Sequence, residues 1–357
     1  MKRLPILRLV VMLSFILSAV GLAMPSMASA STAQTYTVLV GAENTGRKTN
    51  VMAYFPSTLH IHVGDTVVWK QNTHEIHTVT FLAGTSMPVL IEPTPSGFTP
   101  AGLMLNPQVA FPAAPQGGLF DGSTYANSGI MSTDPGQPTQ FSLTFTKQGT
   151  FPYVCVVHGM MMSGTVIVED SSVSIPSPST VSAQAKIAIT MQLANADKLY
   201  GAALAKVPAP QVNADGTTHY TVLIGWSQGQ YDLMDFIPNN LAVHPGDTVT
   251  FALSPTNTEA PHTVTFLNGA EDISFISPIP NPPGPPVLTI NPEVLMPLNA
   301  GTPLTRTGIY SSGLLNPLGP GPYSYTLQIG NISGNITYVC VLHDTSGMDA
   351  VLQVVPK

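Results

Sequence analysis

Two short stretches of this chain gather the side chains that bind soft metal ions. Residues 155–164 read CVVHGMMMSG and residues 340–348 read CVLHDTSGM. Each is a Cys-x2-His pair with methionine close behind: Met160, Met161 and Met162 in the first, Met348 in the second. Each is preceded by another histidine, His77 or His262, with 77 residues between that histidine and the cysteine. Two imidazoles, a thiolate and a thioether are what a trigonal copper site with a weak axial sulfur requires. Zinc accepts His2Cys but wants a fourth strong ligand, and methionine is a poor one. A single Cys, His or Met in such a sequence belongs to packing; the same four types, twice and in one order, do not arise by coincidence.

The spacing recurs because the chain is written twice. YTVLVG at Tyr36 returns as YTVLIG at Tyr220, and LHIHVGDTVVW (59–69) as LAVHPGDTVTF (241–251). HTVTFLAG from His77 returns as HTVTFLNG from His262, LNPQV from Leu105 as INPEV from Ile290, and FPYVCVVHG from Phe151 as ITYVCVLHD from Ile336. Five matches in one order make each half a structural unit. Cys155 and Cys340 are the only cysteines. They hold equivalent positions in the two units, each with a histidine three residues on, which argues against a disulfide between them.

The elements that must position these donors are strands. In HTVTF, His77, Val79 and Phe81 share one face while Thr78 and Thr80 share the other, and ITYVCV alternates in the same way. The Gly-Asp pairs of HVGDTV and HPGDTV mark turns between strands. Each unit is therefore expected to be an antiparallel β-sandwich. The first histidine ends one strand, and cysteine, second histidine and methionine come from the loop joining the last two. The expected boundaries are a leader over 1–30, unit one over 31–170, a linker over 171–214 and unit two over 215–357. Within the linker, 171–178 is rich in serine and proline, and 180–206 reads as one helix ended by Pro208 and Pro210, a spacer or a lid on a sandwich.

YVCVLHDTSGM followed by AVLQVV resembles the ligand loop of the cupredoxins, the plastocyanin and azurin type of blue copper protein, and VHPGDTVTF…PHTVTF resembles their earlier strands. The resemblance covers most of both units. It implies an all-β chain of two tandem Greek-key sandwiches, each with a type 1 copper at one end. By that pattern the ligands are His77, Cys155, His158 and a methionine in unit one, and His262, Cys340, His343 and Met348 in unit two. The family's axial methionine is followed by x-Gly and an alternating last strand; MSGTVIV fits from Met162, which leaves Met161 as the alternative. The resemblance further implies a carrier that passes electrons to transient redox partner proteins. The ring edges of His158 and His343 should lie near the surface, with Met160 and Gly159 as a docking rim.

Five histidines remain. His60 and His62 alternate with Leu59, Ile61 and Val63 and are expected to be solvated; His244 repeats His62; His219 has no assigned role; His74, without a counterpart, is a loop residue. Residues 82–140 and 267–322 are long insertions rich in Pro, Gly, Asn and Ser, read either as folding over the copper end or as surface decoration.

Composition bounds the rest. The chain has 357 residues, 44% hydrophobic and 9% charged, with 34 Pro, 30 Gly and a net charge of −7. The net charge is negative and no basic stripe exists to meet the phosphates of nucleic acid. Lys2, Arg3 and Arg8, the apolar run 9–24 and the small-x-small Ala28-Ser29-Ala30 read as an export signal, with an uncleaved anchor as the alternative. No later run is apolar and long enough to span a bilayer, so a soluble extracytoplasmic protein is expected. Multicopper oxidases and copper nitrite reductases use this sandwich too, but they need an open centre with further histidines. HIH at 60–62 is the only His-x-His pair, and valine precedes both cysteines, so no enzyme is expected. A copper storage or delivery module is the other reading.

Overall fold

The computed structural model describes residues 32–96, 102–133, 137–257, 260–317 and 321–356. The proposed leader lies outside them. Strand-forming sequence dominates, as the alternation of apolar and polar residues requires: Gln140–Phe145 and Ser324–Gln328, for example, bury every second side chain. Within the described residues no helix is long and apolar enough to cross a membrane.

Each unit is a sandwich. In unit one the strands Thr49–Phe55, Thr35–Asn44, Thr66–Gln71, Gln140–Phe145 and Leu119–Phe120 form one layer. The other runs Thr58–His62, Gly159–Glu169, Gly149–Cys155, Thr80–Phe81, Ala126–Asn127. Aromatic rings lock the layers: Trp69 stands edge-on to Phe81 at 5.6 Å and to Tyr153 at 5.3 Å, and Tyr54 meets Tyr153 at 4.7 Å. Such pairs add about 0.5–1.5 kcal/mol each beyond the area they bury. Unit two repeats the plan, with Phe236, Phe251 and Phe266 gathered around Tyr338.

The two units share a sheet. The first layers of both join into one ten-stranded sheet through antiparallel pairing of Thr49–Phe55 with Tyr231–Ile237. These are the same strand of the repeat, NVMAYFP in one unit and DLMDFIP in the other. Asn50 pairs with Asp232, its own counterpart, and the flanking bonds obey the same symmetry: Met52 N donates to Gln230 O at 2.8 Å and Met234 N to Lys48 O at 2.9 Å. The insertions pair as well, in a four-stranded sheet of Ile276–Ile279, Val287–Ile290, Leu103–Leu105 and Ile91–Pro93, where Met104 faces its counterpart Thr289. Both pairings set equivalent residues opposite each other, so one pseudo-twofold axis relates the units. Ala33–Lys357 forms one compact unit.

The linker holds two helices rather than one, Pro178–Ala196 and Leu199–Leu204. Ser177 caps the first, its hydroxyl accepting from Thr180 N, with Pro178 at the first helical position. That helix covers Ala42, Val51 and Phe55 of unit one, and the second covers Leu223, Leu233 and Ile237 of unit two. The break lies at Asp197, which accepts from Asn44 Nδ2 and Thr49 Oγ1 at 2.9–3.1 Å, at the boundary between the two clusters. The repeated Asn-Pro of the insertions is a cap too: Asn106 and Asn291 each accept an amide bond and open a four-residue helix at proline.

Candidate metal centres

In each unit three of the four expected donors converge. His77 Nδ1 and His158 Nδ1 lie 3.2 Å apart, and Cys155 Sγ is 3.9 Å from the first and 3.5 Å from the second. The second unit repeats this with 3.1 Å between His262 Nδ1 and His343 Nδ1, and 3.7 and 3.4 Å from Cys340 Sγ. Bonds of about 2.0–2.3 Å, the range for nitrogen and sulfur ligands, would spread three donors about 3–4 Å apart, so one small ion fits among them. Among the described residues no carboxylate joins either cluster. Nitrogen and thiolate donors without oxygen suit copper.

The methionines are sorted by the alternation of the strand Gly159–Glu169. Met160 is 68% exposed, Met161 is half-buried, and Met162 is fully buried in the same core cluster as Cys155. Met348 is fully buried beside Cys340 in that cluster.

Several groups that hold the donors were not apparent in the sequence. Thr78 and Thr263 each follow the first histidine and reach across to the cysteine loop. The amide of Thr78 donates to Cys155 Sγ at 3.4 Å, and its hydroxyl accepts from Val156 N at 2.8 Å. Thr263 does the same for Cys340, at 3.4 Å, and Val341, at 3.0 Å. The repeated HTVTF was the available signal. From the insertions, Met131 and Leu315 bond in both directions to the backbones of His77 and His262. Ser128 and Ser312 hydroxyls accept from Val79 and Val264. The insertions thus clamp the first histidine of each site.

Gly41 and Gly225 sit at register breaks with φ of +70° and +62°. A Cβ on either would fall 2.8 Å from the Nε2 of His77 or His262. Glycine is required there both by the backbone and by the ring.

The loop histidines depart from expectation. His158 and His343 are each only 7% exposed. At His343 the cause is visible: the loop that follows it packs on unit one, where Ser346 Oγ donates to the buried Glu75 carboxylate at 2.9 Å. The two rings also feel each other. Burial, then the charge of His343, lowers His158 to about 4. Burial would lower His343 as well, but Glu75, the Cys340 thiolate and Asp232 outweigh it and raise it to about 9. The thiols diverge accordingly: burial raises Cys155, while at Cys340 the charge on His343 overcomes burial and lowers it. A bound cation would deprotonate both. His77 and His262 are held well below the usual histidine range, by burial and by the neighbouring loop histidine.

The remaining histidines lie elsewhere. His60 Nδ1 pairs with Glu169 at 2.7 Å, and His62 Nε2 meets Val173 O. His74 Nδ1 pairs with Glu43 at 2.6 Å, His219 with Thr248 Oγ1, and His244 with Asp247. The two cysteines are free and buried.

Sandwich and cage together repeat the cupredoxin plan twice, with a His2Cys cluster in each unit and a buried methionine, Met162 or Met348, following it in sequence. Residues 41–169 match the family of copper binding proteins described as plastocyanin/azurin, and the second unit repeats their ligand pattern. Copper is the metal the family binds. Among solved structures, the chain is similar to amicyanin variants. An oxidised one is 24% identical with a TM-score of 0.22, over 38% of this chain and 82% of that one. A second oxidised form is 26% identical over the same shares, and a reduced form is 26% identical over 37% and 80%. No curated protein matches the chain.

Proposed function

We propose that the chain is an exported electron carrier with one type 1 copper per unit, held by His77, Cys155, His158 and Met162 and by His262, Cys340, His343 and Met348. The observation that carries this reading is the convergence of two imidazoles and one thiolate on a single point in each unit, at separations one ion can span. Copper supplies a one-electron couple there. Backbone bonds at His77 and His262 and the amides of Thr78 and Thr263 on the two sulfurs position the donors, which suits a site where little rearranges between oxidation states. With every donor buried, each site is suited to passing electrons rather than to binding substrate, and no enzymatic role is proposed. Redox partners would dock transiently, through small patches.

The test is an absorption spectrum with metal analysis, repeated for Cys155→Ser and Cys340→Ser. Two coppers per chain are expected, with about half of an intense visible band lost in each variant. A loaded chain that stays colourless overturns the reading. Copper delivery is the second reading, favoured by the exposed Met160 beside the first site. Loss of copper on reduction selects delivery, and retention through repeated cycles selects the carrier. Recovery of a chain lacking 1–30 from outside the cytoplasm tests export.

A further inference from the structure

The seam between the units is symmetric in backbone and asymmetric in charge. Glu75, from unit one, is 5% exposed and bonded to Ser346 of the unit-two loop, whose own amide donates to His343 O at 3.1 Å. The counterpart of Glu75, counting the 185 residues that separate His77 from His262, is Ala260. Asp232 is 2% exposed, and its counterpart is Asn50. Asp344, beside His343, corresponds to Gly159. Glu75, Asp232 and Asp344 thus each have a neutral counterpart in the repeat. Lys48 is matched by Asp235 and Asp349 at 3.2 Å, and in unit one the Glu43 carboxylate is held by His74 Nδ1 at 2.6 Å.

A buried anion stabilises the more positive of two oxidation states, and burial keeps water from screening it. We propose that Glu75 of unit one tunes the copper site of unit two, making it the lower in potential, so that a chain holding one electron keeps it at the unit-one site. In that state site one is reduced and site two oxidised, and no proton or bond changes hands. This rests on both sites taking copper as a redox couple.

The test is spectroelectrochemistry on the full copper-loaded chain, with Cys155→Ser and Cys340→Ser chains assigning each midpoint. The lower midpoint should vanish in Cys340→Ser. Glu75→Gln should raise it so that the equilibrium constant between the sites falls at least tenfold, 59 mV for a one-electron couple. Ser346→Ala, which keeps the anion, should move it by less. Coincident midpoints, a reversed order, or equal shifts in the two variants overturn the proposal while leaving both sites blue and reversible. Sites that never turn blue remove the carrier reading, and this inference with it.

Discussion

Asn50 and Asp232 face each other at the pivot of the shared sheet, equivalent positions carrying an amide in one unit and a carboxyl in the other. Asn50 Oδ1 and Asp232 Oδ2 are buried without a hydrogen-bond partner among the described residues. Burial is the main reason Asp232 is raised to about 7, Glu75 adding to it while a bond from Ser227 opposes it. The folded value lies above the unfolded one of 3.8, so the neutral carboxyl contributes stability that is complete below about pH 4. That stability is lost as pH rises towards 7, about 4 kcal/mol in all. Asp232→Asn recreates the partner residue and should flatten this loss. In metal-free protein the variant should gain on the wild type from pH 4 to 8 in denaturant titrations; parallel curves would refute the assignment.

Gly41→Ala should empty one site and spare the other. The left-handed backbone alone costs about 1–2 kcal/mol, and the new methyl also meets His77 Nε2. Gly229→Ala has a similar φ of +59° with nothing within reach, so it isolates the backbone cost. Copper content should fall towards one per chain in Gly41→Ala and stay at two in Gly229→Ala. Equal copper in both would remove the steric argument.

Thr78→Val keeps the shape and the amide bond to sulfur, but leaves Val156 N without its acceptor. A buried unsatisfied N–H costs about 1–3 kcal/mol. Metal-free stability should drop by that amount, with Thr263→Val giving a similar loss. An unchanged unfolding midpoint would show that the hydroxyl is dispensable.

Met162→Leu should shift the visible spectrum and potential of site one, because Met162 alone of the three methionines after His158 is fully buried. Met161→Leu and Met160→Leu should leave both unchanged. A shift confined to Met161→Leu would reassign the axial sulfur.

Much of this was legible because it is local. Cys-x2-His, the equal gaps before it and the alternation of HTVTF place donors within single loops and strands, and the repeat removes chance. The choice between Met161 and Met162 needed the phase of the last strand, which puts Met162 inward. The seam was not legible. That Thr49–Phe55 pairs with its own copy, that Glu75 lies under Ser346, and that His158 and His343 are covered depend on contacts far apart in sequence, for which period and spacing carry no signal. The linker was read as one helix because its composition is uniformly helical. The break falls at Asp197, whose carboxylate is bound by Asn44 and Thr49, residues about 150 positions away.

A strand that pairs with its own copy is the contact by which identical proteins form a twofold dimer. Here both partners sit on one polypeptide, so assembly does not weaken on dilution. Fusion also lifts a constraint. In a dimer of identical chains every substitution at the junction appears twice, whereas here the two sides can change independently, and aspartate opposite asparagine at the pivot shows that they have.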